Sequence, residues 1–252
     1  MSASPINPVS GPTIRLALTP SAPLDIEGCT VVAVDILRAT TAICAAFQAG
    51  ADEIVPLDSL QALDGYRDKG YLLAAERGGK KVGDANYGNS PTEYIRSDLR
   101  GQRLAYSTTN GTRCILRGAA ADTTLVGAFA NITALTARLL AHPVPLVVIC
   151  SGWEGDFSVE DTLFAGALIE RLVTSGLYST KNDSALMALD LWHLGKDDPY
   201  AYCLQRASHI QRLEGFGAHD DVVFAFREDT CPVVPYLENG ELKIGRCTAD
   251  NN

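Results

Sequence analysis

Short apolar runs alternate with stretches of helical period through the first two thirds of the chain. TVVAVDI, from Thr30 to Ile36, is apolar without a break from Val31 to Val34 and reads as a buried strand. The pattern then predicts a helix from about Ala39 to Ala49, a strand from Glu53 to Leu57, a helix from Ser59 and a strand from Tyr71 to Ala75. Further strands are predicted at Arg103 to Ser107, Thr124 to Val126 and Leu146 to Cys150. Helices are expected to start near Asn110, Asn131 and Ser158, whose side chains suit an N-cap. This alternation predicts an α/β fold: βαβ units around a mostly parallel sheet, in three layers with helices on both faces.

The last third reads differently. Ser184 to Glu214 has helical character, and Asp198-Pro199 supplies a cap with proline in the first turn. DVVFAF, Asp221 to Phe226, is followed by VVPYLENGELKI, where Asn239-Gly240 predicts a hairpin. The expected organisation is a Ser/Pro-rich flexible tail over residues 1–12, a main α/β domain over 13–180, and a smaller α+β portion over 181–252 packed on it.

Composition narrows the function. A length of 252 residues, 46% hydrophobic and 20% charged, is ample for a real core. The formal net charge of -9 argues against nucleic acid or anionic membranes as partners, since both need clustered Lys and Arg. An anionic substrate would need a local cation: a metal, a few arginines or helix N-termini. The seven cysteines (Cys29, Cys44, Cys114, Cys150, Cys203, Cys231 and Cys247) are widely spaced with no C-x-x-C, which fits free thiols in a reducing compartment. The opening MSASPINPVSGP has no basic segment followed by an apolar run, and no apolar stretch approaches the roughly 20 residues a membrane span needs. The expectation is a cytoplasmic protein. A homo-oligomer stays open, with no coiled coil or repeat arguing for one.

Five segments concentrate polar residues and glycine where strands should end, the edge at which open α/β sheets bind ligands. In DILRATT, Asp35 ends a strand and is a carboxylate suited to a hard cation, while Arg38, Thr40 and Thr41 open a helix. Arg38 offers a planar fork to phosphate or sulfonate; the alternative is a capped helix with a surface arginine. AERGGKKVGDANYGNSPTEY places Glu76 and Arg77 after a strand, and its Asn89 and Ser90 lead into Ser90-Pro91-Thr92-Glu93, a capping box. In STTNGTRC, Thr108, Thr109, Asn110, Gly111 and Thr112 form a candidate anion cradle, or a polar turn capped by Asn110. CSGWEGDFSVEDTLFAG puts Glu160 and Asp161 in the first turn of a helix, where Asp161 also suits a capping box with Ser158. HIQRLEGFGAHDDV brings His209 and His219 to a Gly-rich turn.

Several phosphate chemistries are excluded. There is no G-x-x-x-x-G-K-[ST], no G-x-G-x-x-G and no G-x-S-x-G. A cysteine phosphatase built on Cys150 would need Arg six positions on, and residue 156 is Asp. The two-aspartate pattern of aspartyl-phosphate enzymes also fails, because Leu37 stands where its second Asp would be, while Asp35 as a covalent nucleophile and direct attack by water both stay open.

Taken in order, DILRATT, ERGG followed by YGNSP, STTNGT, CSGWEG followed by EDTLFAG, and a late histidine-plus-GxxxD region resemble the 2-phosphosulfolactate phosphatase (ComB-like) family over roughly residues 30 to 225. One mild departure is Cys150-Ser151-Gly152 where the family commonly has Cys-Ala-Gly. The resemblance implies an α/β fold of its own type and a Mg²⁺ requirement. It also implies hydrolysis of 2-phospho-3-sulfolactate to 3-sulfolactate and phosphate, a step that serves coenzyme M biosynthesis in methanogens. Such a substrate carries about three to four negative charges near neutral pH. On this reading Asp35, Glu76, Glu160 and Asp161 are the candidate metal ligands, and Arg38 and Arg77 bind oxyanions. Thr40, Thr41, Asn89, Ser90 and residues 108–112 surround the substrate, and His209 is a candidate general acid. The alternatives are a Mg²⁺-dependent phosphatase of another small phospho-hydroxy acid and a non-catalytic protein that binds a phosphorylated metabolite.

Overall fold

A computed structural model of the chain describes residues 11–245. Among them, ten strands form one mixed sheet: β1 Ile14–Ala17, β2 Thr30–Val34, β3 Glu53–Pro56, β4 Leu72–Arg77, β5 Lys80–Lys81, β6 Arg103–Ser107, β7 Thr123–Gly127, β8 Leu146–Cys150, β9 Pro235–Glu238 and β10 Glu241–Ile244. The spatial order is β1-β8-β2-β7-β9-β10-β3-β6-β4-β5. The helices are α1 Ala39–Gln48, α2 Gln61–Arg67, α3 Pro91–Ile95, α4 Gly111–Arg117, α5 Ile132–Ala141, α6 Val159–Thr174, α7 Asp183–Gly195, α8 Pro199–Leu204, α9 Ser208–Gly215 and α10 His219–Ala225. The expected α/β class is what the chain adopts, with antiparallel strands in the C-terminal portion.

Every residue of β2 and β8 is buried, so both faces of the sheet are covered there. That is why these strands carry unbroken apolar runs rather than an alternation. Each fully buried Val, Leu or Ile contributes roughly 1.5–3 kcal/mol. The Ala-rich α1 is buried from Ala39 to Phe47, and its small side chains allow the close approach. No helix among the described residues is long and apolar enough to cross a membrane.

The sheet contains two parallel sets. β1, β8, β2 and β7 run together, as do β3, β6 and β4. Between them lies the β9–β10 hairpin, antiparallel to β7 on one side and to β3 on the other. Those antiparallel pairings leave the two sets pointing in opposite directions. In a flat sheet their C-terminal ends would lie on opposite edges. Strand twist of about 20–25° per pairing, summed over the steps from β2 to β4, turns the second set back toward the first. The joint is short, since β10 meets β3 through the single pair Leu242 and Ile54.

The structure adds detail to three parts of the sequence reading. Gly11 and Pro12, expected in a loose tail, pack on the segment before α7: Ser179 donates to the Pro12 carbonyl at 3.2 Å, and a Cβ at Gly11 would lie 2.3 Å from the Leu177 oxygen. The rest of the expected tail lies outside the described residues. Within the 181–252 portion, the C-terminal hairpin occupies the middle of this one sheet. DVVFAF lies largely in α10, where Asp221, Val222 and Ala225 face inward at helical spacing.

Candidate active site

The turn after β2 is built around Asp35. The Thr40 hydroxyl donates to the Asp35 carbonyl at 2.8 Å and lies 3.0 Å from the Asp35 N–H, while the Thr41 hydroxyl donates to the Ile36 carbonyl at 2.9 Å. Thr40 and Thr41 are fully buried and fix the turn, and neither lines the cavity described next. The Asp35 carboxylate accepts from the Ala39 N–H through Oδ1 at 3.2 Å; among the described residues its Oδ2 accepts from none. Gly111, at the start of α4, crosses directly over it: a Cβ there would lie 2.7 Å from Asp35 Oδ2 and 2.3 Å from the Ala39 Cβ.

A cavity of about 160 Å³ opens beside Asp35. It is lined by the turns after β2, β4 and β6, by the turn after β8, and by α9. From the sequence candidates the fold brings Asp35, Arg38, Glu76, Asn89, Thr109, Asn110 and His209 to its wall. Glu76 is buried at the end of β4 and accepts from the Gly79 N–H and, at 3.3 Å, from the Thr109 N–H. Asn89 is buried too, and among the described residues its Oδ1 has no hydrogen-bond partner.

His209 and Glu160 form a dyad. His209 Nδ1 lies 3.0 Å from Glu160 Oε1, and the ring stacks on Trp153 at 5.1 Å with an interplanar angle of 10°. Among the described residues Nε2 has no partner. Glu160 sits behind the histidine with its Oε2 buried and, among the described residues, unpartnered. Trp153 belongs to a tight turn closed by bonds between Trp153 and Asp156 at 2.9 and 3.0 Å. Gly152 enters that turn at φ +64°, where a Cβ would meet the Asp156 oxygen at 2.2 Å, so the glycine of CSGWEG is required.

Other sequence candidates lie outside the cavity wall. Asp161 uses Oδ1 to accept from the Ile36 N–H at 2.8 Å. Its Oδ2 accepts from the Ser151 hydroxyl at 3.1 Å and the Gly152 N–H at 3.2 Å. It ties the end of β2 to the end of β8, with both carboxylate oxygens accepting protein hydrogen bonds. Arg77 turns to the Ser107 hydroxyl at 2.9 Å and the Glu76 carbonyl at 2.6 Å. Thr108 and Thr112 bond to each other: the Thr112 N–H donates to the Thr108 hydroxyl at 3.2 Å, the cap bond expected from Asn110. Ser90 caps α3 and donates to Asp221 at 2.7 Å. His219 pairs with Glu214 on the surface at 2.9 Å.

Sequence reasoning did not assign roles to Asp221, Arg212, Trp153 and Glu154. Asp221 holds Arg38, which also donates to the Gly79 carbonyl at 2.7 Å. Arg212, Trp153 and Glu154 line the cavity. The signal was present in the HIQRLEGFGAHDDV and CSGWEG segments, but nothing local assigns these side chains to one wall.

Burial dominates the electrostatics. It pushes the Asp35 carboxyl up to about 6, with Glu76 and Glu160 adding like-charge repulsion; the Ala39 N–H and His209 act in the opposite sense. Burial, reinforced by Asp35 and Glu160, also raises Asp161 well above the usual carboxylate range. Among the described residues no group of three or more His, Cys, Asp or Glu side chains is arranged as a metal cage. The donor chemistry nonetheless suits a hard cation. Among the described residues, Asp35 Oδ2 and Asn89 Oδ1 at the cavity wall, and Glu160 Oε2 behind His209, are oxygens without a protein donor, among carboxylates that repel one another. Mg²⁺ typically takes one or two carboxylates and completes its shell with water and substrate phosphate, so a full protein cage is not required.

Comparison with known proteins gives a consistent result. The family described as 2-phosphosulpholactate phosphatase matches residues 17–240. A protein of Symbiobacterium thermophilum named probable 2-phosphosulfolactate phosphatase is 33% identical over 224 residues, covering 87% of this chain and 96% of that protein. One of the same name from Synechococcus sp. (strain RCC307) is 41% identical, covering 84% of this chain and 91% of its own. Another, from Caldanaerobacter subterraneus, is 30% identical with 88% and 93% covered.

Proposed function

The chain belongs to the 2-phosphosulpholactate phosphatase family and is a phosphoric monoester hydrolase, and we propose that its reaction is the Mg²⁺-dependent hydrolysis of 2-phospho-3-sulfolactate to 3-sulfolactate and phosphate. The observation that carries this reading is the meeting of Asp35, Glu76 and the Glu160–His209 dyad at one small cavity with unspent oxygen donors. Asp35 and Asn89 would hold the ion, with Glu76 as a further carboxylate. Bound there, Mg²⁺ supplies charge neutralisation between acidic protein and acidic ester and polarises the phosphoryl oxygens.

The chain's own groups do the rest. Glu160 Oε1 holds His209 at Nδ1, which leaves Nε2 to deliver a proton to the alkoxide oxygen as its bond to phosphorus breaks. Trp153 keeps the imidazole plane fixed by stacking. The buried bonds of Thr40, Thr41 and Asp161 hold the Asp35 turn rigid, so the site pays its ordering cost during folding rather than on binding. A phosphate-release assay on 2-phospho-3-sulfolactate, with Mg²⁺ and then with EDTA, tests the proposal. Magnesium-dependent release is expected. Equal release in EDTA would remove the metal from the reaction, and no release under either condition would remove the substrate assignment.

A further inference from the structure

The cavity contains two guanidinium groups in different electrostatic states. Arg38 is buried, and its Nη1 lies 2.6 Å from Asp221 Oδ2, so its charge is largely spent inside the protein. Arg212 is half-buried and forms no ion pair among the described residues. Its Nη2 donates to the Gly78 carbonyl at 3.0 Å. Its guanidinium carbon lies 5.7 Å from the Trp153 ring centroid and 5.3 Å from that of Phe216. A neutral acceptor and two aromatic faces orient the group without neutralising it. Lys80 Nζ lies 5.0 Å from the same Phe216 ring, a second positive charge near Arg212, also without a carboxylate partner among the described residues.

A cation left unpaired at a cavity that Asp35, Glu76 and Glu154 also line, in a chain of net charge -9, calls for an anionic ligand group. The phosphate belongs with the oxygen donors around Asp35. A carboxylate on the neighbouring carbon can join a hard metal ion there. A sulfonate is a poor metal ligand, keeps its charge at any working pH and is weakly hydrated, which matches a weakly hydrated guanidinium held on aromatic faces. We infer that Arg212 forms a sulfonate subsite, fixed by Gly78, Trp153 and Phe216, which reads the sulfonate end of the substrate. This inference rests on the proposed phosphatase reading, since it assigns one end of that substrate.

The test compares Arg212→Gln and Arg212→Lys with wild type on 2-phospho-3-sulfolactate and on 2-phospholactate, which lacks the sulfonate. Arg212→Gln is expected to lower kcat/KM on the sulfonated ester by about 10- to 100-fold, mainly through KM. The loss on that ester should be at least about 10-fold greater than on 2-phospholactate, so the preference collapses. Arg212→Lys should fall between, because a point charge remains without the fork. Equal loss on both esters, or no loss, would overturn the assignment. Calorimetric titration of 3-sulfolactate in Mg²⁺ separates the two readings. If wild type hydrolyses neither ester yet binds 3-sulfolactate more tightly than Arg212→Gln does, the reaction is wrong and the subsite stands. Equal binding, or none by either protein, overturns the subsite.

Discussion

Arg38 Nη1 donates to Asp221 Oδ2 across 2.6 Å, joining the start of α1 to a residue 183 positions later in α10. Asp221 Oδ1 also accepts from Ser90 Oγ at 2.7 Å and Thr92 Oγ1 at 2.6 Å. One buried carboxylate thus fixes the cavity arginine and the N-terminus of α3 together. Asp221→Ala leaves a buried, unpaired guanidinium and should cost about 3–5 kcal/mol of stability. Asp221→Asn keeps an acceptor but removes the charge, and should cost less. Chemical denaturation of the two variants checks the order; equal stability of both with wild type would mean that the pair is solvated in solution.

The dyad gives a second prediction. His209→Asn should lower kcat by about 100-fold or more, the ordinary contribution of a placed general acid. Glu160→Gln keeps a hydrogen-bond acceptor for Nδ1 but removes the carboxylate, so it should lower kcat by less and shift the acidic or basic limb of the pH–rate profile. Steady-state kinetics across pH would show both effects. An unchanged profile in Glu160→Gln would reduce its role to packing.

Asp35 links metal and stability. Its carboxyl is raised to about 6 in the folded protein from an ordinary 3.8, chiefly by burial. The folded state therefore holds the proton more tightly than the unfolded chain. The stability this provides is fully present below the unfolded value and is lost as pH rises through the folded one. In EDTA, Asp35→Asn should be more stable than wild type near about pH 7.5, by on the order of 3 kcal/mol, and the two should converge near about pH 4. Adding Mg²⁺ should narrow the gap at the higher pH by stabilising the charged carboxylate, while the variant stays inactive. Thermal melts in the two buffers measure this, and a less stable Asp35→Asn in EDTA at the higher pH would contradict it.

Gly111 offers a test of geometry without touching polar chemistry. A Cβ there would lie 2.7 Å from Asp35 Oδ2 and 2.3 Å from the Ala39 Cβ, so Gly111→Ala must push α4 off the Asp35 turn. A drop in kcat of at least about 100-fold is expected, in line with a displacement of about 1 Å at a catalytic group. Full activity in Gly111→Ala would show that the turn gives way at no cost.

What the sequence made legible was local. The β2 run and its Asp35 end, the Ser90 cap and the Ser158 cap all rest on neighbouring residues, and each appears in the fold, though of the Ser90–Glu93 box only the Ser90 half is made among the described residues. Asn110 occupies the cap position, but Thr108 makes the bond, a swap between two hydroxyl- or amide-bearing neighbours that composition does not separate. Glu160 and Asp161 were both candidate metal ligands, and capping by Ser158 accounted only for Asp161. Their directions on the helix divide them, one toward His209 and the other into the β2–β8 junction. Asp221 and Arg212 were not assigned because their meaning depends on partners from distant elements: Arg38 for the first, Gly78 and Trp153 for the second.

The hairpin that joins the two parallel sets comes from residues 235–244, long after the strands it links. During synthesis, β7 and β3 are complete well before either can acquire its neighbour. Until the hairpin arrives, both expose backbone edges, which are templates for intermolecular pairing. Closing the sheet is therefore a late, non-local event of the slow kind. An inducible stall before Leu242 would yield nascent chains that aggregate or recruit chaperones, whereas a stall beyond residue 245 and clear of the exit tunnel would not.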